Sequence, residues 1–265
     1  MSACSDEPLM APDGFVFVQG GPFVNTTSNL YGSDVIVEDF FIGIHQVTQR
    51  EWIEVMSDNP SRFIEDDHPV ENVSWYDAIL FANRRSELVG LEPFYTIDKD
   101  NEDPNNFSSD DEIRWTVGIN EGANGYRLPT EVEWEYAAGG GQKSKSFTFS
   151  GSNDPDEVAW YFRNSGDEYL TGFWHRSALD GNDASTNPVG EKLANELGIY
   201  DMSGNVREWN WNWYGNELNP TQGFARVIRG GGWVGDEETA RTYIRRYMEP
   251  HFRFPDLGIR LVRSR

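Results

Sequence analysis

The sequence predicts an α+β fold that is rich in loops, with short strands and about three helices. Twenty-six glycines and thirteen prolines among 265 residues interrupt most elements before they grow long. Three segments begin with a hydroxyl residue and carry an acid three positions later, as helices with capping boxes do. Elsewhere, short runs of alternating apolar and polar residues are typical of strands.

Composition limits the class of partner before any motif is considered. The formal net charge is −22, which argues against a nucleic-acid partner and against binding to anionic membranes. From residue 226 onward, however, nine arginines stand against five acids. A basic patch on an acidic body favours acidic ligands. The alternative is that these arginines are structural, paired with buried carboxylates or stacked on Trp.

The N-terminal residues are similar to the end of a bacterial lipoprotein signal, because Ser2 and Ala3 precede the only cysteine, Cys4. We predict a lipid anchor on Cys4, a flexible tether over residues 1–12 and one domain over residues 13–265. The protein is then an extracytoplasmic lipoprotein of the bacterial outer membrane or cell surface. The alternative is a chance cysteine in a frayed N-terminus. No run of about eighteen apolar residues occurs, so we expect membrane contact only through the anchor.

Local patterns predict the elements of the N-terminal half. Residues 14–24 alternate around a Gly-Gly pair, which predicts a hairpin, and residues 35–45 predict two more short strands. Helices are predicted after Thr48, Ser74 and Thr130, each followed by an acid three positions later. The first and third are full capping boxes by residue type.

The middle of the chain offers fewer signals. The acidic, Asn-rich stretch Asp98–Glu112 predicts a solvated loop, and residues 142–200 predict an irregular segment, which in proteins is usually functional or carries short elements of its own. Trp209, Trp211 and Trp213 alternate, which places three indoles on one face of a strand that we expect in the core.

Residues 226–265 combine regular ends with an irregular centre. Val227 and Ile228 precede a three-glycine turn, and Ile259–Arg263 alternates apolar and basic side chains, which predicts a strand with one solvated face. Between these ends the side chains follow neither the helical nor the strand period. Such a mixture of aromatic, small and charged residues is typical of a contact surface.

No motif of the sequence points to an active site. The histidines His45, His68, His175 and His251 fall in separate segments, and none has the spacing of a metal-ligand pair. Nothing resembles a nucleophile elbow, a phosphate-binding loop or a dinucleotide-binding glycine pattern.

Four stretches together resemble the formylglycine-generating, sulfatase-modifying family, a branch of the C-type lectin fold. They are Asn72–Ala78, Tyr126–Gly140, Gly198–Trp209 and Arg229–Trp233. The most specific are the Arg-Leu-Pro-Thr-Glu-x-Glu-Trp-Glu run and the Gly-Asn-Val-x-Glu-Trp run. The resemblance covers about residues 13–263 and implies the C-type lectin fold in its formylglycine-generating-enzyme subtype.

The family's activity is not implied, because its catalytic members bind copper through two cysteines after the glycine-rich turn. Gly235 and Ala240 stand at those positions here, so we expect no catalytic residue, no copper and no enzyme. The resemblance leaves room for structural calcium at Asn205 and Glu208. The alternative is that these two side chains cap backbone groups or pair with an arginine.

The C-terminal part also resembles the variable region of diversity-generating retroelement proteins, among them treponemal variable lipoproteins. In these proteins randomised Asn codons never yield Lys, Gln, Glu, Trp or Met. Eleven positions match variable codons, and all eleven carry a permitted residue. Glu237, Glu238, Met248 and Glu249 lie in the same region but are of excluded types, so we infer that they are not diversified Asn codons. The predicted variable residues are Val234, Gly235, Asp236, Thr239, Ile244, Arg246, Tyr247, Phe252, Phe254, Pro255 and Asp256.

The resemblance implies a surface protein whose variable side chains bind a ligand on a rigid frame. The predicted frame residues are Trp233, Arg241, Arg245, Arg253 and Arg260. Tyr247, Phe252 and Phe254 are the expected anchors, Arg246 and Asp256 the expected charge-selective groups. Val234, Gly235 and Asp236 are expected to form a neighbouring wall. The ligand is an unidentified protein or another surface molecule.

Two further functions stay open from the sequence. One is an enzyme without cysteine that uses carboxylates in the same pocket. The other is a structural or assembly protein without a ligand.

Overall fold

Short strands and helices alternate along the chain, for which a computed structural model describes residues 10–23, 35–215 and 220–265. Cys4 and residues 1–9 of the predicted tether lie outside this part. The strands are β1 (Phe15–Val18), β2 (Gly21–Phe23), β3 (Val35–Val37), β4 (Phe40–Gly43), β5 (Tyr95–Glu102), β6 (Trp115–Ile119), β7 (Tyr126–Arg127), β8 (Arg207–Trp213), β9 (Arg226–Arg229), β10 (Arg246–Met248), β11 (Leu257–Gly258) and β12 (Val262–Ser264). The α-helices are α1 (Gln49–Met56), α2 (Trp75–Leu88), α3 (Glu131–Ala138), α4 (Pro155–Val158) and α5 (Arg176–Asp180).

The first four-stranded sheet joins the two ends of the chain in the order β1-β4-β12-β7. The predicted hairpin over residues 14–24 is wrong, because β1 pairs with β4 and β2 pairs with β3. The Gly-Gly pair does not form a tight turn; instead, Gly20 allows its backbone to lie close to the backbone of Val37. A Cβ atom on Gly20 would lie 2.1 Å from the Val37 carbonyl oxygen, so only glycine fits there.

The second four-stranded sheet carries the C-terminal region in the order β10-β9-β8-β11. Strands β8, β9 and β10 are antiparallel neighbours, whereas β11 runs parallel to β8. The irregular segment between β9 and β11 therefore starts and ends on one sheet, and β10 in its middle forms the edge of that sheet. Both ends of the segment are fixed by strand pairing.

All three predicted helices are present, and each begins with a capping box. The hydroxyl groups of Thr48, Ser74 and Thr130 accept from the third helical N–H, and the acid three positions later accepts from the cap N–H. The irregular segment 142–200 adds the short helices α4 and α5, which the sequence did not predict individually.

Indole rings fill the core where the two sheets meet the helices. Trp75, Trp134 and Trp209 are fully buried, and Trp213 is buried. Each of the first three indole N–H groups has a hydrogen-bond acceptor, as buried Trp requires. The prediction that the Trp209–Trp213 alternation belongs to the core is confirmed, with a half-buried Trp211 stacked on Tyr95 at 5.1 Å.

Two further predictions about exposure are wrong. The stretch Asp98–Glu112 is not simply a solvated loop, because β5 extends to Glu102, and Asp103, Asn106 and Asp111 are buried. Tyr76 and Asn106 both donate to the carboxylate of Asp111, at 2.8 Å each. Internal hydrogen bonds therefore allow these polar groups to lie inside the fold.

The predicted solvated face of Ile259–Arg263 does not exist at Arg260. Its side chain is fully buried, since a buried carboxylate and backbone carbonyls satisfy the guanidinium group. Among the described residues, no helix has the length and the apolar character needed to cross a lipid bilayer.

Candidate functional site

A buried ion pair holds the base of the C-terminal region. Arg260 donates from Nε and Nη2 to the Glu208 carboxylate at 2.9–3.1 Å, and also to the carbonyl oxygens of Gly43 and Tyr200 at 2.8 Å each. Trp134 and Gln46 donate to the same carboxylate. The contacts of Arg260 therefore join β8, the chain before β12 and the end of β4.

A second buried cluster fixes the segment between β9 and β10. Arg229 at the end of β9 pairs with Glu131 at 3.1 Å and with Glu135, both on α3. Arg245, just before β10, donates to both oxygens of Glu131, at 2.5 and 2.9 Å. Arg245 therefore contributes to the frame through a carboxylate on α3.

The predicted frame residues Arg241 and Arg253 differ from these because they lie near the surface. Arg241 pairs with Glu238, and Arg253 pairs with Asp77 at 2.7 Å. Surface pairs contribute about 0–1 kcal/mol, so the two arginines add little to the rigidity of the frame.

The three-glycine turn after β9 brings the chain against itself. Gly231 has a φ of +70°, and a Cβ atom there would lie 2.8–2.9 Å from backbone atoms of Thr239 and Ala240. Trp233 follows, buried, with its N–H bonded to the Asn205 carbonyl oxygen and its indole N–H to the Pro255 carbonyl oxygen at 2.7 Å. Trp233 therefore ties the start of the segment to its end.

The irregular segment between β9 and β11 lines a cavity of about 480 Å³, here called the variable cavity. The structure brings together eight of the predicted variable residues around it, from both ends of the irregular segment. These are Val234, Gly235, Asp236, Thr239, Arg246, Phe254, Pro255 and Asp256. The expected wall of Val234, Gly235 and Asp236 is among them.

The other three predicted variable residues lie outside the variable cavity. Tyr247 is 47% exposed and packs against Tyr214 and Phe224, at ring distances of 4.6 and 5.4 Å. Phe252 is 37% exposed and stacks near Phe254. Ile244 is half-buried. Two of the three expected anchors are thus available to a partner at the surface, and Phe254 is partly packed against the core.

Three residues from outside the C-terminal region also line the variable cavity, and two of them were not predicted as site residues. Trp174 and Arg176 come from the irregular segment 142–200, where no pattern singles out individual side chains. The Trp174 indole N–H donates to the Val234 carbonyl oxygen at 2.6 Å, which places this ring against the segment. Arg207 belongs to the predicted Gly198–Trp209 run, although not as a cavity residue.

Some charged side chains around the variable cavity are paired with other groups of the protein, whereas one is not. Asp256 is buried, and its carboxylate pairs with Arg207 at 2.5 Å. Asp236 accepts from the Thr239 N–H at the start of a short 3₁₀ helix. Arg246 is exposed and has no carboxylate partner among the described residues. Of the two expected charge-selective groups, Arg246 is therefore the one whose charge is available to a ligand.

The residues do not fit the metals that the family implies. Both oxygens of Glu208 already accept from Arg260, and the Asn205 amide group is bonded in both directions to the backbone of Asn187. This arrangement favours the alternative, in which these side chains pair with an arginine and cap backbone groups. Copper cannot be bound through thiolates, because Gly235 and Ala240 occupy the two positions where catalytic members of the family have cysteines.

The protein therefore has a C-type lectin fold of the formylglycine-generating-enzyme subtype. It lacks the two cysteines by which catalytic members of that family bind copper. The family described as "Sulfatase-modifying factor enzyme 1-like domain" matches residues 2–265, and the chain belongs to this family. A curated relative, "Chaperone protein LppX" of Paenibacillus barcinonensis, is 51% identical over 100% of this chain and 95% of its own length.

Solved structures agree with this assignment. "Treponema denticola variable protein 1" has a TM-score of 0.78 and 30% identity, covering 95% of each chain. The structure titled "Crystal Structure of CarF" has a TM-score of 0.70 and 28% identity, covering 97% of this chain and 100% of its own. The predicted fold and the predicted resemblance to variable proteins of this branch are confirmed.

Proposed function

We propose that this protein is a non-enzymatic binding protein whose variable cavity recognises a partner protein outside the cytoplasm. The observation that carries the proposal is the convergence of eight predicted variable residues on one cavity, in a C-terminal region that buried ion pairs hold in place. A frame fixed by Arg229, Arg245 and Arg260 lets the cavity side chains change without unfolding the domain. Preformed walls also lose little entropy on binding.

The comparisons support a binding role. A solved structure of similar fold is titled a variable protein, and the relative at 51% identity is named a chaperone, a class of protein that binds other polypeptides. The proposal includes diversification of the eleven variable residues by a retroelement. It also includes display on a lipid anchor at Cys4, for which mass spectrometry of the native protein is the test: a diacylglyceryl group on Cys4 is expected, and its absence refutes the anchor.

Selection from a library tests the binding role. The eight cavity residues are randomised, and the displayed variants are selected against a panel of purified proteins. A control library with the same number of clones is randomised at five exposed positions of α1 and α2. These positions are Ile53, Glu54, Arg84, Glu87 and Leu88.

The proposal predicts that specific binders are enriched from the cavity library and rarely from the control library. Equal enrichment from both libraries, or folded cavity variants that never bind, would contradict it.

A further inference from the structure

A second cavity, of about 690 Å³, adjoins the variable cavity, and Arg176 lines both. None of the eleven predicted variable residues lines this second cavity. Its walls come from the loop before Val70, from the α5 region and from the frame residue Trp233. Diversification of the variable residues therefore leaves it unchanged, and we call it the constant cavity.

Two aromatic rings with an arginine at each end characterise the constant cavity. The rings of Phe63 and Trp233 meet edge to face at 5.3 Å. The Arg62 guanidinium carbon lies 5.3 Å from the Phe63 ring centroid, and that of Arg176 lies 5.8 Å from the Trp233 ring centroid. An apolar surface thus carries positive charge at both ends.

Buried hydrogen bonds hold the loop that carries Arg62 and Phe63. The backbone N–H groups of both residues donate to the buried carboxylate of Glu71, at 2.5 and 3.0 Å. The Gln49 side chain donates to the Phe63 carbonyl oxygen at 2.6 Å. Because the loop is already ordered, a ligand bound there costs little additional conformational entropy.

The charges in this cavity are incompletely paired. Arg176 pairs with Asp180 at 3.1 Å on the surface. Arg62 is exposed and forms no ion pair within the described ranges, although the chain as a whole has twice as many acids as lysines and arginines. Asp183, also exposed, lines the cavity as a negative group. The cavity therefore offers an available cation together with acidic neighbours.

We infer that the constant cavity binds an Asp or Glu side chain of the protein partner, while the variable cavity contacts the adjoining part of the same partner. This inference rests on the proposed function. The guanidinium group of arginine can donate two parallel hydrogen bonds to a carboxylate. The rings of Phe63 and Trp233 provide an apolar surface for the aliphatic part of the Asp or Glu side chain. An acidic polysaccharide carries negative charge only and is repelled by Asp180 and Asp183, whereas a polypeptide supplies both signs.

A constant anchor beside variable contacts has a physical advantage. Once the acidic side chain occupies the constant cavity, contacts in the variable cavity form at a high effective concentration. A weak complementarity that arises by diversification then yields measurable affinity.

Titration with a small probe, followed by NMR on the full chain, tests the inference. The probe is the capped tetrapeptide acetyl-Gly-Asp-Lys-Gly-amide, which carries both signs of charge, and its Asn counterpart and glucuronate are the comparisons. We expect saturable shifts of the Arg62 and Arg176 Nε–H signals and of the Trp233 indole N–H signal with the Asp peptide. Arg62→Gln weakens this binding about tenfold, because it removes a charge-assisted hydrogen bond.

Two control variants make the result specific. Arg84→Gln removes another exposed arginine without a carboxylate partner in the described part of the chain. Arg246→Gln removes the one of the three arginines lining the variable cavity that has no carboxylate partner among the described residues. Neither changes the titration if the inference holds. No saturable shift, an Arg62→Gln variant that binds like the parent, or glucuronate that binds as tightly as the peptide would overturn it. None of these outcomes affects the library selection, so failure of the inference is distinguishable from failure of the proposed function.

Discussion

Arg260 shows at the scale of one residue how the frame is stabilised. Its guanidinium group is fully buried against Glu208, so removing it leaves an uncompensated buried carboxylate. We predict that Arg260→Met lowers the free energy of unfolding by about 3–5 kcal/mol. Denaturant unfolding measures the change.

Arg263 provides the matched control for that substitution. It lies three residues further along the chain, but among the described residues its side chain donates only to the Asn124 carbonyl oxygen, near the surface. Arg263→Met is expected to cost less than about 1 kcal/mol. Equal losses for the two variants would contradict the assigned frame role of Arg260.

The sequence could not predict the burial of Arg260. Alternation of apolar and basic residues indicates two faces but does not tell which face is solvated. Glu208, which makes burial possible, lies fifty-two positions earlier in the chain. The identity of Arg260 as a frame residue came from the resemblance, whereas its partner became visible only when the fold joined β8 to the C-terminal strands.

Glu71 leads to a prediction about pH. Burial raises the pKa of its carboxyl group from an ordinary 4.5 to about 7, despite two N–H donors that act in the opposite direction. A carboxyl group with a raised pKa stabilises the fold most at low pH, and this contribution is lost as the pH rises through about 7.

We therefore predict that Glu71→Gln becomes more stable relative to the parent between pH 5 and pH 8, by on the order of 2 kcal/mol. Unfolding free energies of both proteins across this range provide the measurement. Other titrating groups are common to the two proteins and cancel in the difference. Parallel curves would show that Glu71 does not titrate as stated.

At the scale of elements, the irregular segment between β9 and β11 combines fixed and replaceable side chains. Trp233 is buried between the constant cavity and the Pro255 backbone, whereas Tyr247 on β10 is 47% exposed. We predict that Trp233→Ala costs about 3–5 kcal/mol of unfolding free energy and that Tyr247→Ala costs less than about 1 kcal/mol. Thermal and denaturant unfolding distinguish the two. Similar losses would mean that the segment is not divided into frame and display positions.

Helices and strands differ in how well local sequence predicts them. Each helix start after Thr48, Ser74 and Thr130 depends on groups within three residues, so the pattern is sufficient. Strand pairing depends on distant residues: β1 pairs with β4, more than twenty positions away, instead of with its neighbour β2. The hairpin prediction failed for this reason.

The same limit applies to the candidate site. Eight cavity residues were predicted because their positions match variable codons of a family. Trp174 and Arg176 were not, because they reach the cavity from an irregular segment that has no period of its own. The constant cavity has no local signal, since its walls come from three distant parts of the chain.

In the whole molecule, the buried ion pairs of Arg229, Arg245 and Arg260 involve none of the eleven predicted variable residues. Of the nine residues of the C-terminal region that line the variable cavity, eight are predicted variable residues and the ninth is Gly232. If the variable residues change in nature and the frame residues do not, the gene should differ between isolates only at the variable positions.

Sequencing the gene from several isolates tests that claim most directly. We predict that amino-acid differences between isolates fall on the eleven variable positions and spare Trp233, Arg245 and Arg260. A uniform spread of differences over residues 226–265, or over the rest of the chain, would contradict it.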